Sequence, residues 1–344
     1  MYTSPPLIGL KKDSSKNYLN STLQCLSQTQ PLTNYFLKKT IEELNKTILG
    51  ANDNDFPISN GYYELIQKLW STKENASSFS SKHLNKRIEK KIKGNILDLD
   101  QPGAYKEFII FILNNINNEL KKHIKNKEIN IKEPKNKYNR ENAFYHYLND
   151  FAKSLSIISD VFTGHIEITS SCSNCQRLFF SKSQFSYSYT KFNYLIFPLE
   201  EINKFNNNYV TLDDCFEYNQ KEKLTYCEDC HYCTSRKTSK IFVAPNNLIL
   251  ILDRGKENLS DVKLKIEKTY DITRFVFCQE KVVYNLYAVL THFDQNHFVA
   301  LCKNPVDSKW YKFDDETIEQ TNVNEVINFD YPDILFFTKD KASK

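Results

Sequence analysis

The chain has 344 residues, of which 40% are hydrophobic and 26% are charged, and its net charge is +4. This length and composition suit one large domain or two ordinary ones, and wholesale disorder is not expected. The charge is too small for a nucleic-acid binder, whose basic residues are clustered and in clear excess. No apolar run approaches the ~18–20 residues of a membrane span, and the first residues lack the apolar region of a signal peptide. We therefore expect a soluble protein of the cytoplasm or nucleus.

Helical periodicity dominates the first 160 residues. Apolar residues recur at helical spacing at Leu19, Leu23, Cys25 and Leu26, before Pro31 interrupts the pattern. The same period predicts helices over 60–70, 104–124 and 142–162. The lysine- and asparagine-rich run at 121–141 is interpreted as a solvated loop or a frayed helix end rather than a nucleic-acid patch.

After Gly164 the pattern changes to that of strands. β-Branched and aromatic residues are concentrated in eight stretches: 164–172, 179–189, 192–199, 240–253, 284–293, 297–304, 310–320 and 332–340. A helical first half followed by a largely antiparallel β half predicts an α+β fold with segregated elements. We find no internal repeat.

Two Cys-x-x-Cys steps predict a structural zinc site. They contain Cys172 with Cys175 and Cys227 with Cys230. Each step directs two thiolates at one ion, and two steps complete a tetrahedral site with no position open for water. In a reducing compartment such pairs indicate metal rather than disulfides, and the ion would join two distant hairpins.

The remaining cysteines are assigned by their surroundings. His231 and Cys233 stand close enough to the second step to compete as zinc ligands. The other four cysteines lie in apolar patterns and are predicted to be core residues: Cys25, Cys215, Cys278 and Cys302.

A histidine and an acid near the C-terminus form a second candidate site. His297 begins one predicted strand and Asp314 follows another, with a hairpin-sized connection between them. On adjacent antiparallel strands the carboxylate would orient the imidazole, as in a Cys–His–Asp device. On chemistry alone His292 could replace the histidine, and Asp315 could replace the acid.

Together these segments resemble a ubiquitin-specific protease domain, from the papain-like family of deubiquitinating enzymes, over residues 8–338. "GLKKDSSKNYLNSTLQCLS" resembles the family's cysteine box, and "VFTGHIEITSSCSNC" with "LTYCEDC" resembles its zinc-bearing fingers. "NNLILILDRG" resembles a palm strand, and "YNLYAVLTHFDQNHFVALCKN" with "WYKFDDETI" resembles the histidine box. Five matches in the family's order make the resemblance specific.

The resemblance implies a papain-like α+β fold in one domain over residues 1–344. Its parts would be a helical thumb at 1–160, zinc-bearing β fingers at 161–245 and an antiparallel β palm at 246–340. It also implies ubiquitin as the partner, gripped by the fingers with its tail in the cleft between thumb and palm. By motif position, His297 would be the general base and Asp314 its orienting partner.

The cysteine box departs from the family at the positions that carry the chemistry. Asn17 stands where the family has its nucleophilic cysteine, and an amide cannot form a thiolate-like anion. Lys12 replaces the asparagine that helps to stabilise the oxyanion, and Ser14 replaces a glycine. A lysine could offer charge there, but its flexible stem lacks a preorganised geometry. Cys25 lies about 12 Å along the helix and is rejected as a substitute.

Two further sequence motifs also differ from the family pattern. The box that in the family supplies acidic residues to the arginines of the ubiquitin tail aligns with "RENAFYHYL", where Asn142 and Tyr145 take the acidic positions. Glu141, one position away, would compensate in part. The glycine before the family's histidine is Asn296.

These observations predict a catalytically inactive deubiquitinase homologue that binds ubiquitin or a ubiquitin-like protein, as a monomer or as a subunit of a complex. Two alternatives stay open. One is an active thiol-dependent deubiquitinase that cleaves after the C-terminal glycine of ubiquitin. The other is a scaffold of an RNA-processing complex, as in the splicing-associated family member whose cysteine box is also degenerate.

Overall fold

The computed structural model describes most of the chain. The described residues are 7–13, 18–39, 43, 58–70, 77–93, 101, 103–121, 134–178, 185–204, 209–232, 234–255, 261–277, 280–294, 297–329 and 331–340. Five residues named above lie outside these ranges: Ser14, Asn17, Cys233, Cys278 and Asn296. What is predicted of them rests on the sequence.

Helices fill most of the described N-terminal half. They are α1 (Tyr18–Ser27), α2 (Gln30–Lys38), α3 (Ile58–Leu69), α4 (Lys82–Ile92), α5 (Tyr105–Glu119), α6 (Arg140–Ala152) and α7 (Ile157–Phe162). Four short helices follow among the strands: α8 (Ser173–Leu178), α9 (Leu199–Asn203), α10 (Leu212–Gln220) and α11 (Val323–Ile327). No helix in the described ranges has both the length and the hydropathy needed to cross a membrane.

Strands form two main sheets and two small pairs. In chain order they are β1 (Gly9–Leu10), β2 (Ser78–Phe79), β3 (Gly164–Cys172), β4 (Ser186–Phe192), β5 (Leu195–Pro198), β6 (Tyr209–Val210), β7 (Lys223–Thr225), β8 (Ser235–Val243), β9 (Asn247–Asp253), β10 (Lys263–Leu264), β11 (Thr269–Asp271), β12 (Val283–Asp294), β13 (His297–Lys303), β14 (Trp310–Asp314), β15 (Thr317–Thr321) and β16 (Pro332–Lys339). The large sheet has the order β15-β14-β13-β12-β16-β9-β5, with β11 paired to β12, and the second has the order β4-β3-β8-β7.

The large sheet separates two hydrophobic cores. Side chains alternate between the faces of a strand, so Ile249 and Ile251 of β9 pack with the N-terminal helices, whereas Leu248 and Leu250 join the other core. The first core contains α1 to α5 and α7, and the second lies beneath α9 and α10. Because both faces are covered, β9 is a continuous apolar run rather than an alternating one.

Two local features differ from the sequence predictions, and a third is consistent with the predicted largely antiparallel half. The single helix predicted over 142–162 is broken into α6 and α7, because Ser156 forms a capping box with Ser159 that starts a new helix. Helices α4, α9 and α10 were not predicted, although Thr211 and Asp214 form a capping box at the start of α10. The large sheet is antiparallel except for β5, which runs parallel to β9.

Candidate functional site

His297 and Asp314 lie side by side at one edge of the large sheet. His297 begins β13 and Asp314 ends β14, and the two antiparallel strands are paired in register at Ala300 and Phe313. Nε2 of the imidazole donates to Oδ2 of Asp314 over 3.1 Å, which leaves Nδ1 as the ring nitrogen available to a reacting group. The two side chains are 35% and 26% exposed, so a ligand can reach them. A base and its orienting partner require this geometry, while their roles stay predictions.

The surroundings of this pair combine a cation with an exposed ring. Nζ of Lys312 lies 3.9 Å from Oδ2 of Asp314 and 5.1 Å from the ring centroid of Phe293. The Phe293 ring lies 6.2 Å from the imidazole of His297 and is about half exposed. The imidazole therefore borders an apolar surface that is open to a ligand.

Asp315, the alternative acid, serves the neighbouring loop instead. Its backbone adopts a φ of 49°, its carbonyl accepts from the N–H of Leu10 at 2.8 Å, and its Oδ1 accepts from Nδ2 of Asn20 at 2.8 Å. At Gly9, a Cβ would lie 2.7 Å from the backbone of Glu316, so only glycine allows β1 to approach this closely. Asp315 thus helps to fix the segment that leads to residue 17.

Polar side chains of α1 hold the helix against that segment and against β13. All ten residues of α1 are buried. Asn20 also donates to the carbonyl of Lys11 at 3.0 Å and accepts from the hydroxyl of Ser81 at 3.1 Å. The Ser21 hydroxyl donates to the carbonyl of Phe298 at 2.8 Å, next to His297. The sequence analysis matched Asn20 to the family without giving it a role; a buried amide at the start of an apolar helix was the available signal.

Lys12, which is predicted to stand at the family's oxyanion position, is exposed to solvent. It lies in the loop between β1 and α1, and no hydrogen bond fixes its ammonium group within the described residues. The start of α1 immediately follows residue 17, where the helix dipole and free backbone N–H groups would favour an anion. An asparagine there brings no charge for this field to stabilise.

Other cysteines in the described ranges do not supply a nucleophile to the cleft. Cys25 is fully buried, its Sγ lies 3.9 Å from Sγ of Cys302, and burial raises the pKa of the Cys25 thiol. Cys215 is also buried, and burial raises its pKa as well. The remaining four belong to the cluster described below, so the rejection of Cys25 agrees with its environment.

His292, the alternative histidine, belongs to a separate buried network. Its Nδ1 lies 2.7 Å from Oδ2 of Asp333, a carboxylate with no solvent exposure. Nε of the equally buried Arg254 lies 3.7 Å from Oδ1 of Asp333, and its other nitrogens donate to the carbonyls of Val262 and Pro332. Sequence analysis missed Arg254 and Asp333, which are 79 positions apart in the chain.

The two residues expected to meet a ubiquitin tail differ in accessibility. Asn142 is 8% exposed; its Oδ1 accepts from the N–H of Asn136 and its own N–H donates to Asn139, the cap of α6. Tyr145, one turn further along α6, is 44% exposed. Tyr145 is therefore open to a partner, whereas the amide of Asn142 is occupied in holding the preceding loop.

The four cysteines of the two Cys-x-x-Cys steps converge at the end of the second sheet. Cys172 and Cys175 lie at the junction of β3 and α8, and Cys227 and Cys230 lie between β7 and β8. Their Sγ atoms all fall within 4.8 Å of one another, with 3.5 Å from Cys172 to Cys230 and 3.6 Å from Cys175 to Cys227. Tetrahedral Zn–S bonds of about 2.3 Å require sulfurs about 3.8 Å apart, so the group fits such an ion.

Local hydrogen bonds shape this cluster. Burial raises the pKa of Cys172, but hydrogen bonds from the Thr234 hydroxyl, the Cys175 N–H and the thiols of Cys230 and Cys227 together lower that pKa to about 6. His231 follows the second Cys-x-x-Cys motif and has a left-handed backbone with a φ of 62°. Its Nδ1 lies 2.8 Å from the hydroxyl of Tyr226. Among the described residues, the group of side chains placed to bind one metal ion consists of the four cysteines, and His231 is not part of it.

Comparison with known proteins identifies relatives along almost the whole chain. The model of the family described as ubiquitin carboxyl-terminal hydrolase matches residues 8–337. Human ubiquitin carboxyl-terminal hydrolase 2 is 25% identical over 338 residues, which cover 93% of this chain and 53% of the relative. Usp2 of Drosophila melanogaster is 25% identical over 339 residues, which cover 92% of this chain and 33% of the relative. The chain thus spans between a third and about half of the length of these relatives.

Solved structures share the fold. The SAGA DUB module with a cysteine-to-alanine variant of Ubp8, bound to monoubiquitin, has a TM-score of 0.69 at 18% identity, covering 99% of this chain and 71% of that one. The module bound to ubiquitin aldehyde has a TM-score of 0.67 at 18% identity, and the match covers 98% of this chain and 70% of that one. Together with the family match, this likeness confirms the predicted papain-like α+β fold.

Proposed function

Because the chain belongs to the ubiquitin carboxyl-terminal hydrolase family, we propose that it is a deubiquitinase homologue that binds ubiquitin without hydrolysing its conjugates. The observation that carries the proposal is that the sequence has Asn17 where the family motif has its nucleophilic cysteine, while His297 is hydrogen-bonded to Asp314. A base and its partner cannot perform acyl transfer without an atom to activate. In the family's mechanism the lost group is the one that forms the covalent bond.

Ubiquitin as the ligand is supported by the relatives and by the exposed surface of α6. The Ubp8 variant found with monoubiquitin carries a cysteine-to-alanine substitution. Tyr145 on α6 and Phe293 beside His297 are both exposed aromatic residues, a residue class that is enriched in protein interfaces. We therefore assign ubiquitin binding to the cleft between the N-terminal helices and the large sheet.

We also propose that the cysteine cluster binds zinc and that the protein acts in the cytoplasm or the nucleus. The four thiolate ligands suit a structural zinc, which would hold the β3–α8 junction against the β7–β8 connection. The localisation rests on the sequence, whose close cysteine pairs are typical of metal sites in a reducing compartment.

A hydrolysis assay with matched variants tests the loss of activity. Unmodified protein should leave a fluorogenic ubiquitin C-terminal substrate intact at micromolar concentration. Asn17→Cys should give weak activity that disappears in the Asn17→Cys/His297→Ala variant, because the new thiol needs its base. Adding Lys12→Asn and Ser14→Gly to Asn17→Cys should raise the rate further. Turnover by the unmodified protein that a thiol alkylator abolishes would refute the proposal in favour of the active enzyme.

A binding assay with two tyrosine variants tests the ligand. Tyr145→Ala should weaken the binding of ¹⁵N-labelled ubiquitin by about tenfold, since exposed aromatic anchors contribute roughly 1–2 kcal/mol or more to protein interfaces. Tyr209→Ala is the matched control, because Tyr209 on β6 is 45% exposed, against 44% for Tyr145. Equal effects of the two substitutions would argue against α6 as the ubiquitin surface.

A further inference from the structure

A cavity of about 220 Å³ lies where α10 meets the second sheet. Its floor is apolar and consists of Ile166, Leu195, Phe216 and Ile241. Three of these side chains are no more than 7% exposed, so the floor is part of the second core. An apolar cavity of about 150 Å³ can already hold a benzene ring, so this one accommodates a single bulky apolar side chain.

The cavity is far from His297 and Asp314. Leu195 lies on β5, at the opposite edge of the large sheet from β13 and β14. Four strand spacings of about 4.8 Å separate β5 from β13, or roughly 19 Å. An occupant of the cavity would therefore leave His297 and Asp314 accessible.

The rim of the cavity is polar and positively charged. Lys223 and Lys240 line it together with Asn219, Gln220 and Ser239, and among the described residues no carboxylate contributes to the lining. The Gln220 amide donates to the carbonyl of Phe275 at 2.7 Å, which fixes the wall at the end of α10. The rim thus offers cations and hydrogen-bonding groups around an apolar floor.

Strand pairing adds a third lysine and an unfavourable contact. Lys223 of β7 lies directly opposite Lys237 of β8 in the antiparallel register. Like charges in directly opposed positions destabilise a strand pair, and within the described residues neither lysine forms an ion pair with an acidic side chain. A carboxylate bound between them would relieve this repulsion.

The local backbone does not cancel this preference for an anion. The C-terminal end of α10 contributes a partial charge of about −0.5, against a full positive charge on each of Lys223 and Lys237. The side chain of Lys240 alternates to the other face of β8, where it lies opposite Glu167 of β3. Among the described strands β7 is also the outermost in its sheet, so an extended segment can approach it from the side.

We propose that this cavity is a docking site for an acidic segment of a partner protein. One bulky apolar side chain of the segment enters the cavity, while flanking carboxylates pair with Lys223 and Lys237. The site lies apart from His297 and Asp314, and α6 packs on the other face of the second sheet, where Phe144 contacts Phe242 of β8.

A labelled model peptide provides the test. A fluorescein-tagged Glu-Asp-Phe-Asp-Glu peptide should bind the full chain saturably in fluorescence polarisation. The same peptide with alanine in place of phenylalanine, and a Gln-Asn-Phe-Asn-Gln peptide, should each bind about tenfold more weakly or worse. These two peptides separate the apolar contribution from the charged one.

Protein variants locate the binding. Lys223→Glu/Lys237→Glu should abolish saturable binding, and Ser239→Leu, which fills the cavity, should weaken it about tenfold. Lys309→Glu changes an exposed lysine next to β14 and should have no effect. Ubiquitin binding should be unchanged in the Ser239→Leu variant. The proposal is overturned if no saturation is reached at about 1 mM protein, or if the charge-reversed variant binds the peptide as well as the unmodified chain.

Discussion

Asp333 is a buried carboxylate that contacts two basic side chains from other strands and loops. It lies between the imidazole of His292 and the guanidinium of Arg254, and neither Asp333 nor Arg254 has solvent exposure. Removing one partner of a buried ion pair leaves the other charge uncompensated in a medium of low dielectric constant. The stability of this end of the sheet therefore depends on one side chain.

Asp333→Ala should lower the free energy of unfolding by about 3–5 kcal/mol, because Arg254 would remain buried without its counter-charge. Urea denaturation followed by circular dichroism measures the change. Asp150→Ala is the control: Asp150 pairs with Lys153 on the surface, where the side chains are 74% and 57% exposed, and its loss should cost less than about 1 kcal/mol. Similar values for the two variants would contradict the network described here.

Asn20 is the second residue with an effect beyond its own helix. Asn20→Ala removes the contacts with Lys11, Asp315 and Ser81 and leaves buried polar groups unpaired, so it should destabilise the protein by about 2–3 kcal/mol. Asn324→Ala, at an exposed position in α11, should change stability by no more than about 0.5 kcal/mol. The same urea titration compares them, and a neutral Asn20→Ala would show that the loop is held by other contacts.

At this scale the sequence predicted partners that short-range strand geometry brings together. The 17-residue spacing between His297 and Asp314 fits two adjacent antiparallel strands, and their side chains do meet. Asp333 and Arg254 were not predicted, because their proximity depends on the pairing of β16 with β9, which local pattern does not specify.

The cysteine cluster determines how the second sheet is held at its far end. β7 has three residues and packs little apolar surface, since Leu224 is 69% exposed. A short exposed strand of this kind gains its order from a cross-link rather than from burial. The bound metal would therefore stabilise this sheet more than the large one.

Metal removal should loosen the second sheet selectively. Chelation, or Cys230→Ser, should increase amide hydrogen exchange in β3, β7 and β8 while the exchange of β12 and β13 stays slow. Cys302→Ser is the matched control, because Cys302 lies in the helix-side core away from the cluster. Uniform protection after chelation would mean that the cluster carries no structural metal.

Helices and strands with a long hydrophobic periodicity were predicted correctly from the sequence. Helices whose limits depend on capping residues or on neighbouring elements were not. β3 has the bounds that were predicted, and α5 lies within the predicted helix. Helix α4 has a narrow apolar face of Leu84 and Ile88 among charged residues, and it was missed. The break before α7 depends on the reciprocal bonds of Ser156 and Ser159, which apolar spacing does not reveal.

At the scale of the whole molecule, the predicted departures from the family pattern are concentrated on the helix side, where Asn17 and Lys12 stand. The sheet side keeps His297 hydrogen-bonded to Asp314. Ser21 still joins α1 to β13. Under the proposed function, this scaffold would bind ubiquitin without a nucleophile.

The most direct test uses ubiquitin that carries a dye on a short C-terminal peptide. Binding raises the fluorescence anisotropy of this substrate, whereas cleavage releases the small labelled peptide and lowers the anisotropy below its starting value. We predict a saturable rise that persists for hours in the unmodified protein and a slow fall only in the Asn17→Cys variant. A fall with the unmodified protein that a thiol alkylator prevents, or no rise at any concentration, would contradict the account.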